Sequence, residues 1–241
     1  MPYKNGYNVL PKLQDISGPI FEKEKDIFIE AKKQEVKKRR CYYEYNISNI
    51  QLATICNYIS TATGLTGTFE DLAMKLREDI VIHCIDENTD WFAAGHVCFP
   101  SGWRPEEKIG KSFYEIHKDV PKMRLGSSRK IVEAMINSSP YERYVWTICF
   151  DKQISGHPDY PKKQFDIKNP SLFVKYERQC IIGFPEVNAA LFTICQHFIE
   201  EKDLDKKILL QSLSEMSIEH IEYKNLQYSY RDVISYLKKS L

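Results

Sequence analysis

The chain has no CxxC pair among its seven cysteines, which stand at 41, 56, 84, 98, 149, 180 and 195. Their odd number and their placement in apolar runs predict buried, reduced thiols rather than a disulfide framework, a zinc ribbon or an iron–sulfur module. No GxGxxG follows a strand-like run, and GxxxxGK(S/T), GxSxG and HExxH are missing too. Nothing here carries its own nicotinamide-binding crossover, nucleotide loop, hydrolase elbow or metalloprotease helix. No window approaches the roughly 18 apolar residues of a membrane span. The opening MPYKNGYNVLPKLQ lacks the apolar centre of a signal peptide. Net charge is nearly absent as well: 34 basic against 33 acidic residues leave +1, so no global field favours nucleic acid or an anionic membrane. A cytoplasmic protein is the expectation.

What remains is globular. At 241 residues and 43% hydrophobic content the chain is long enough for one domain over 1–241 with a sizeable core. Residues 1–20 read as an extended surface arm. Phe21–Arg40 is charged, with acids early and bases late, and reads as a solvent-facing helix with a thin stripe at Ile27, Ile29 and Val36. Asn46 or Ser48 starts a second helix that stops before Gly64, and a short helical piece follows at Phe69–Leu76. DIVIHCI (79–85) and WFAAGHVCF (91–99), separated by turn-prone DENTD, form a hairpin signal. Pro105–Ile116 starts like a helix, with Pro in its first turn, and Ser127 or Ser128 opens another to about Ile136. Three β-rich runs follow at 143–150, 172–182 and 189–198, the first two separated by a long polar loop of a length that is often functional. Residues 200–241 are helical. The sum is an α+β fold around a mainly antiparallel sheet of about five strands.

Six histidines are available for chemistry. His83, His96 and His197 fall in β-rich runs and read as core or satisfied groups, while His157 and His220 read as solvated. His117 differs. It closes a helix inside CFPSGWRPEEKIGKSFYEIHKDVP (98–121), a stretch crowded with Pro, Gly and Trp. One reading is a cation at a helix C-terminus; the other is an axial metal or haem ligand aimed into a pocket. Arg104 and Lys108 nearby serve either as helix-start charges or as partners of haem propionates. On KYERQ, alternation sends Tyr176 and Arg178 to one face and Lys175, Glu177 and Gln179 to the other. Glu177 and Arg178 are either members of cross-strand ion pairs or cavity residues. Trp146 is either core or cofactor wall.

EDIVIHC, WFAAGHVCFPSGWRPEEKIGKSFYEIHKDVP, VWTICF and LFVKYERQC with FPEVNAALFTI occur in this order over about residues 27–200. Together they resemble the haem-dependent oxidative N-demethylase family, which includes the haem-binding subunit of dimethylamine monooxygenase. The resemblance implies a PAS-like antiparallel sheet enclosing haem b. The implied reaction is oxygen-dependent demethylation of a small alkylamine to give formaldehyde, with electrons arriving through a separate flavin and iron–sulfur reductase. By the same resemblance His117 is the proximal ligand, Arg104, Lys108 and Arg178 are propionate or supporting partners, and Glu177 and Trp146 face the substrate. The chain departs from the family pattern where an Arg–Thr pair is replaced by Cys195 and Gln196, and where an Asn is replaced by Val145. These departures leave two alternatives open: a non-catalytic PAS-like haem or small-ligand binding or sensor protein, or, if the missing Arg anchored a propionate, a family member that has lost its haem.

Overall fold

The computed structural model describes residues 2–4, 13–22, 26–121, 128–138 and 140–241. Its centre is one open sheet of seven antiparallel strands: β1 (Gln14–Asp15), β2 (Tyr42–Glu44), β3 (Asp79–Ile85), β4 (Asp90–His96), β5 (Tyr141–Cys149), β6 (Phe173–Phe184) and β7 (Ala189–Glu200), in the order β1-β5-β6-β7-β3-β4-β2. The five β-rich runs are all present and the predicted β3–β4 hairpin pairs as expected. The count of five is corrected to seven by β1 and β2, two and three residues long. Both lie at sheet edges and are too short for periodicity to reveal.

Eight α-helices accompany the sheet among the described residues: α1 (Asp26–Val36), α2 (Asn49–Thr63), α3 (Phe69–Lys75), α4 (Phe113–His117), α5 (Ser128–Asn137), α6 (Lys206–Ser214), α7 (Ile218–Tyr223) and α8 (Tyr230–Lys239). Ser48 caps α2 in a reciprocal box with Gln51, and Gly64 ends it in the left-handed region at φ 75°. The alternative start for α5, Ser127, lies outside the described residues. Helix α1 is not the solvated helix its charges suggest. Ile27 is exposed, whereas Phe28 and Lys32 are buried, Lys32 completely, with its Nζ donating to the carbonyls of Ala73 (2.9 Å) and Glu78.

The helix expected over Pro105–Ile116 is broken in two. Pro105–Glu107 is a single tight turn, Gly110 adopts φ 76°, and Ser112 restarts the chain as α4 by a capping box with Glu115. A left-handed residue cannot sit inside a right-handed helix, so the glycine divides the segment. The break also re-aims the chain: the Gly110 and Phe92 amides bond to the Phe92 and Lys111 carbonyls respectively, both at 2.9 Å, which ties α4 to β4.

The two faces of the sheet do different work. On one, α2 and α3 pack against Ile80, Ile82, Cys180, Ile182 and Leu191, while α6 and α8 pack against Trp146, Ile148 and Val174. Tyr3 is part of that second cluster, fully buried, with its ring edge-on to Trp146 at 6.0 Å. The N-terminal segment is therefore more than a surface arm; residues 5–12 lie outside the described residues. The opposite face carries α4, α5 and the loop after β5. Helix α5 lies so close to β6 that a Cβ on Gly183 would stand 2.0 Å from the Ile136 carbonyl oxygen. Gly183→Ala is expected to force the two apart and cost about 3 kcal/mol or more, measurable as a lower midpoint in urea unfolding.

Candidate functional site

Strand alternation builds the floor of a cavity of about 590 Å³. Arg143, Val145 and Thr147 of β5, Lys175, Glu177 and Gln179 of β6, Phe192 and Ile194 of β7, and Val81 and His83 of β3 all lie along its wall. The other walls come from the Phe99–Trp103 segment, α4, the polar loop (Asp151–Gln164) and the turn after α7 (Tyr223–Leu226). That volume lies inside the roughly 300–1,000 Å³ typical of ligand and cofactor sites. The long polar loop is thus a wall of the cavity. His157 within it, and His220 of α7, are buried rather than solvated: each packs against its own short turn, with the Asp159 amide donating to His157 Nδ1 (3.2 Å) and Ser217 Oγ lying 3.0 Å from His220 Nδ1.

His117 lines this cavity. Its Nδ1 lies 2.9 Å from the Phe113 carbonyl one helical turn earlier, and its ring packs against that of Phe113 at 4.1 Å between centroids, tilted by 34°. A carbonyl only accepts, so Nδ1 carries the proton and Nε2 keeps its lone pair. Burial, helped by the positive charges of Arg143 and Lys108, pushes the imidazole pKa down to about 4 despite the opposing pull of that carbonyl. The ring is therefore neutral at pH 7, held by one nitrogen, with the other available. Metal-ligating histidines have this arrangement.

A second imidazole stands close by. His83 Nε2 is 2.7 Å from Asp90 Oδ2, and the same oxygen accepts from the Phe113 amide at 2.6 Å. Burial works against the Asp90 charge, but these two bonds outweigh it and hold the carboxyl below its usual range. Asp90 thus locks His83 and the first amide of α4 together, which fixes where His117 stands.

The cavity is rich in cations. Lys108, Arg143, Lys162, Lys163, Lys175 and Lys224 line it, against Asp79, Asp119, Asp151 and Glu177. Burial lowers the pKa of Arg143, Lys162, Lys175 and Lys224. Asp79 accepts from the Cys98 (3.0 Å) and Phe99 (2.7 Å) amides and faces Lys32 at 3.8 Å, yet burial still raises it to about 6. Glu177 accepts from Ser101 Oγ and from Gln179 Nε2 (2.7 Å), and Gln179 Oε1 accepts from Arg143 Nε (2.8 Å). Arg143, missed at the sequence level, opens a run that reads simply as a strand; the available signal is its place two residues before Val145 on the same face.

Of the residues singled out from sequence, the cavity brings together His117, Lys108 and Glu177. Trp146 borders it along β5, but alternation gives its indole to the opposite face, where it meets Tyr3. Arg104 lies outside, in a surface ion pair with Asp159 at 2.7 Å. Arg178 also lies outside, on the far side of the sheet: its Nε donates to Glu142 (2.8 Å) and its Nη1 to the Pro19 carbonyl (2.7 Å). Glu142 is fully buried and also accepts from Ser17 (2.6 Å) and Gln14 (2.9 Å), so the pair clamps residues 14–19 onto β5 and β6. Cys195 pairs across from Arg178 on that far side, and Gln196 donates to the Phe99 carbonyl. Of the three departures from the family pattern, only Val145 lines the cavity.

These features define an α+β protein with an internal cavity that offers a neutral imidazole and an excess of cations. The family model described as haem-dependent oxidative N-demethylase, alpha subunit-like, matches residues 40–234, and the chain belongs to that family. No curated protein matches the chain at a significant level. No helix among the described residues is long and apolar enough to cross a membrane.

Proposed function

We propose that this protein binds haem b in the cavity, where His117 would hold it through Nε2, and that it demethylates a small alkylamine oxidatively. The observation that supports this most directly is His117 itself: neutral at pH 7, anchored through Nδ1 and lining the cavity. The remaining lining fits the same group. Val81, Phe92, Phe192 and Ile194 offer an apolar surface to a macrocycle, and six cations against four acids leave an excess of two positive charges, which suits two propionates. On this reading the fold is PAS-like, and Lys108, which donates to the Ile116 carbonyl of α4 (3.1 Å), is one of the propionate partners.

Haem, when bound, supplies oxygen activation: with O2, two electrons and two protons, an N-methyl amine gives the demethylated amine, formaldehyde and water. The electrons come from a separate flavin and iron–sulfur reductase, in keeping with the alpha subunit-like family and with the missing reductase motifs. The contribution of this chain is to orient and enclose. The Phe113 carbonyl fixes the tautomer of His117, the Asp90 carboxylate fixes α4, and the polar loop with the Tyr223–Leu226 turn shields the cavity from water. Glu177 offers a carboxylate to a protonated amine.

A second reading is a haem or small-ligand binder without turnover. It draws on Val145, an apolar side chain directly across from Glu177 in the β5–β6 pair. A visible absorption spectrum taken before and after haem addition tests the haem in both: a Soret band that shifts on reduction is expected, and no band after reconstitution rejects haem binding and leaves only a binder of another small ligand. Formaldehyde release from a panel of methylamines, with a surrogate reductase and NADPH, separates them.

A further inference from the structure

Arg143 is unusual among the charged groups of this protein. It lines the cavity half-buried, and its one side-chain hydrogen bond among the described residues runs from Nε to Gln179 at 2.8 Å. It makes no ion pair with a carboxylate among the described residues, although Glu177 is close enough to interact with it. Arg77, Arg104 and Arg178, by contrast, each pair with a carboxylate at 2.7 Å or less. A half-buried guanidinium facing a cavity without a counter-ion is open to an anion, and its two terminal amino groups form a planar fork that matches a carboxylate. The lining around it explains why Glu177 does not close on Arg143: Glu177 accepts from Ser101 and from the Gln179 amide, and Gln179 stands between the two, bonded to both. The row Ser101–Glu177–Gln179–Arg143 therefore braces the fork while leaving its far end open to the cavity.

We propose that Arg143 is the carboxylate-binding residue of the cavity, with Gln179 and Glu177 as the residues that position it. Two sources of that carboxylate share the same chemistry. One is a propionate of the porphyrin, in which case the inference rests on the cofactor reading above. The other is the acid group of an N-methylated amino acid, which would narrow the substrate class from simple amines to amino acids.

The test compares the wild-type protein with Arg143→Gln, with Arg143→Lys, which keeps the charge and loses the fork, and with Arg104→Gln as a matched loss of charge outside the cavity. Each is titrated with haem, with haem dimethyl ester, with N,N-dimethylglycine and with dimethylamine, using absorbance for the porphyrins and calorimetry for the amines. If the source is the cofactor, Arg143→Gln weakens haem by about 10- to 100-fold. Esterification then weakens the wild type to a similar degree and leaves Arg143→Gln little changed. If the source is the substrate, haem binds all variants alike, while dimethylglycine binds the wild type better than dimethylamine does and loses that preference in Arg143→Gln. Arg143→Lys is expected between wild type and Gln in either case, and it carries the test should Arg143→Gln fail to fold. Failure of haem to bind the wild type, together with Arg143-dependent binding of dimethylglycine, rejects the haem reading and keeps this one. The inference is overturned if neither carboxylate ligand depends on Arg143, if neither binds the wild type, or if Arg104→Gln has the same effect.

Discussion

Replacing His117 by glycine is expected to abolish the Soret band of reconstituted protein at haem concentrations that saturate the wild type, a loss of affinity of at least about 100-fold. Adding free imidazole should restore part of the band, because the substitution empties a ring-shaped space and leaves the rest of the cavity in place. The effect should be large because the other cavity histidine is already committed: His83 is held by Asp90 through Nε2. Partial rescue separates a lost ligand from a lost fold. An unchanged band in the unsupplemented variant would show that His117 is not the ligand. The same ring has a consequence for stability. It is neutral in the folded protein down to about pH 4, whereas an unfolded histidine charges near 6.5. Its contribution is complete above about pH 6.5 and is lost as pH falls from there towards 4.

The second large effect is expected far from the cavity. Arg178→Ala leaves Glu142 buried without its guanidinium, and Glu142→Ala does the reverse to Arg178. Each is expected to cost about 3–5 kcal/mol, which corresponds to a fall in Tm on the order of 10 °C for a chain of this size. Replacing both residues by methionine should cost much less than either single change, since no charge is then stranded. Burial opposes the Glu142 charge, but bonds from Ser17, Gln14 and Arg178 more than compensate and bring its pKa down to about 2. The unfolded state takes up this proton first, so the contribution is full above about pH 4.3 and drains away as pH falls towards 2. Thermal melts of the wild type and the double variant across that window should converge at the acid end. Parallel curves would show that the pair does not carry the pH dependence.

Much of this architecture was legible from periodicity. The five long strands stand out as β-rich runs, and the KYERQ segment divides into Tyr176 and Arg178 against Lys175, Glu177 and Gln179 as its spacing requires. What alternation does not reveal is which face meets the cavity. That is decided by distant partners, here Glu142 and Pro19, so Arg178 reads as a cofactor residue until its partners are seen. Arg143 shows the converse. A basic residue opening a strand is unremarkable, and its lack of a carboxylate becomes visible only once the neighbouring strands are in place. The restart at Ser112 was hidden because Pro105 and Gly110 belong to one continuous polar pattern; the glycine conformation, rather than its identity, ends the first turn.

The clamp at Glu142 and Arg178 lies on one side of the sheet, and the lining that a ligand would touch lies on the other, with neighbouring residues of the same two strands serving each. Changes to the lining, Val145 among them, can therefore accumulate without loosening the clamp, and the clamp can drift without altering what the cavity accepts. Over evolutionary time such a sheet lets selectivity wander while the fold stays put. The two sets of substitutions should combine without mutual interference when they are made together.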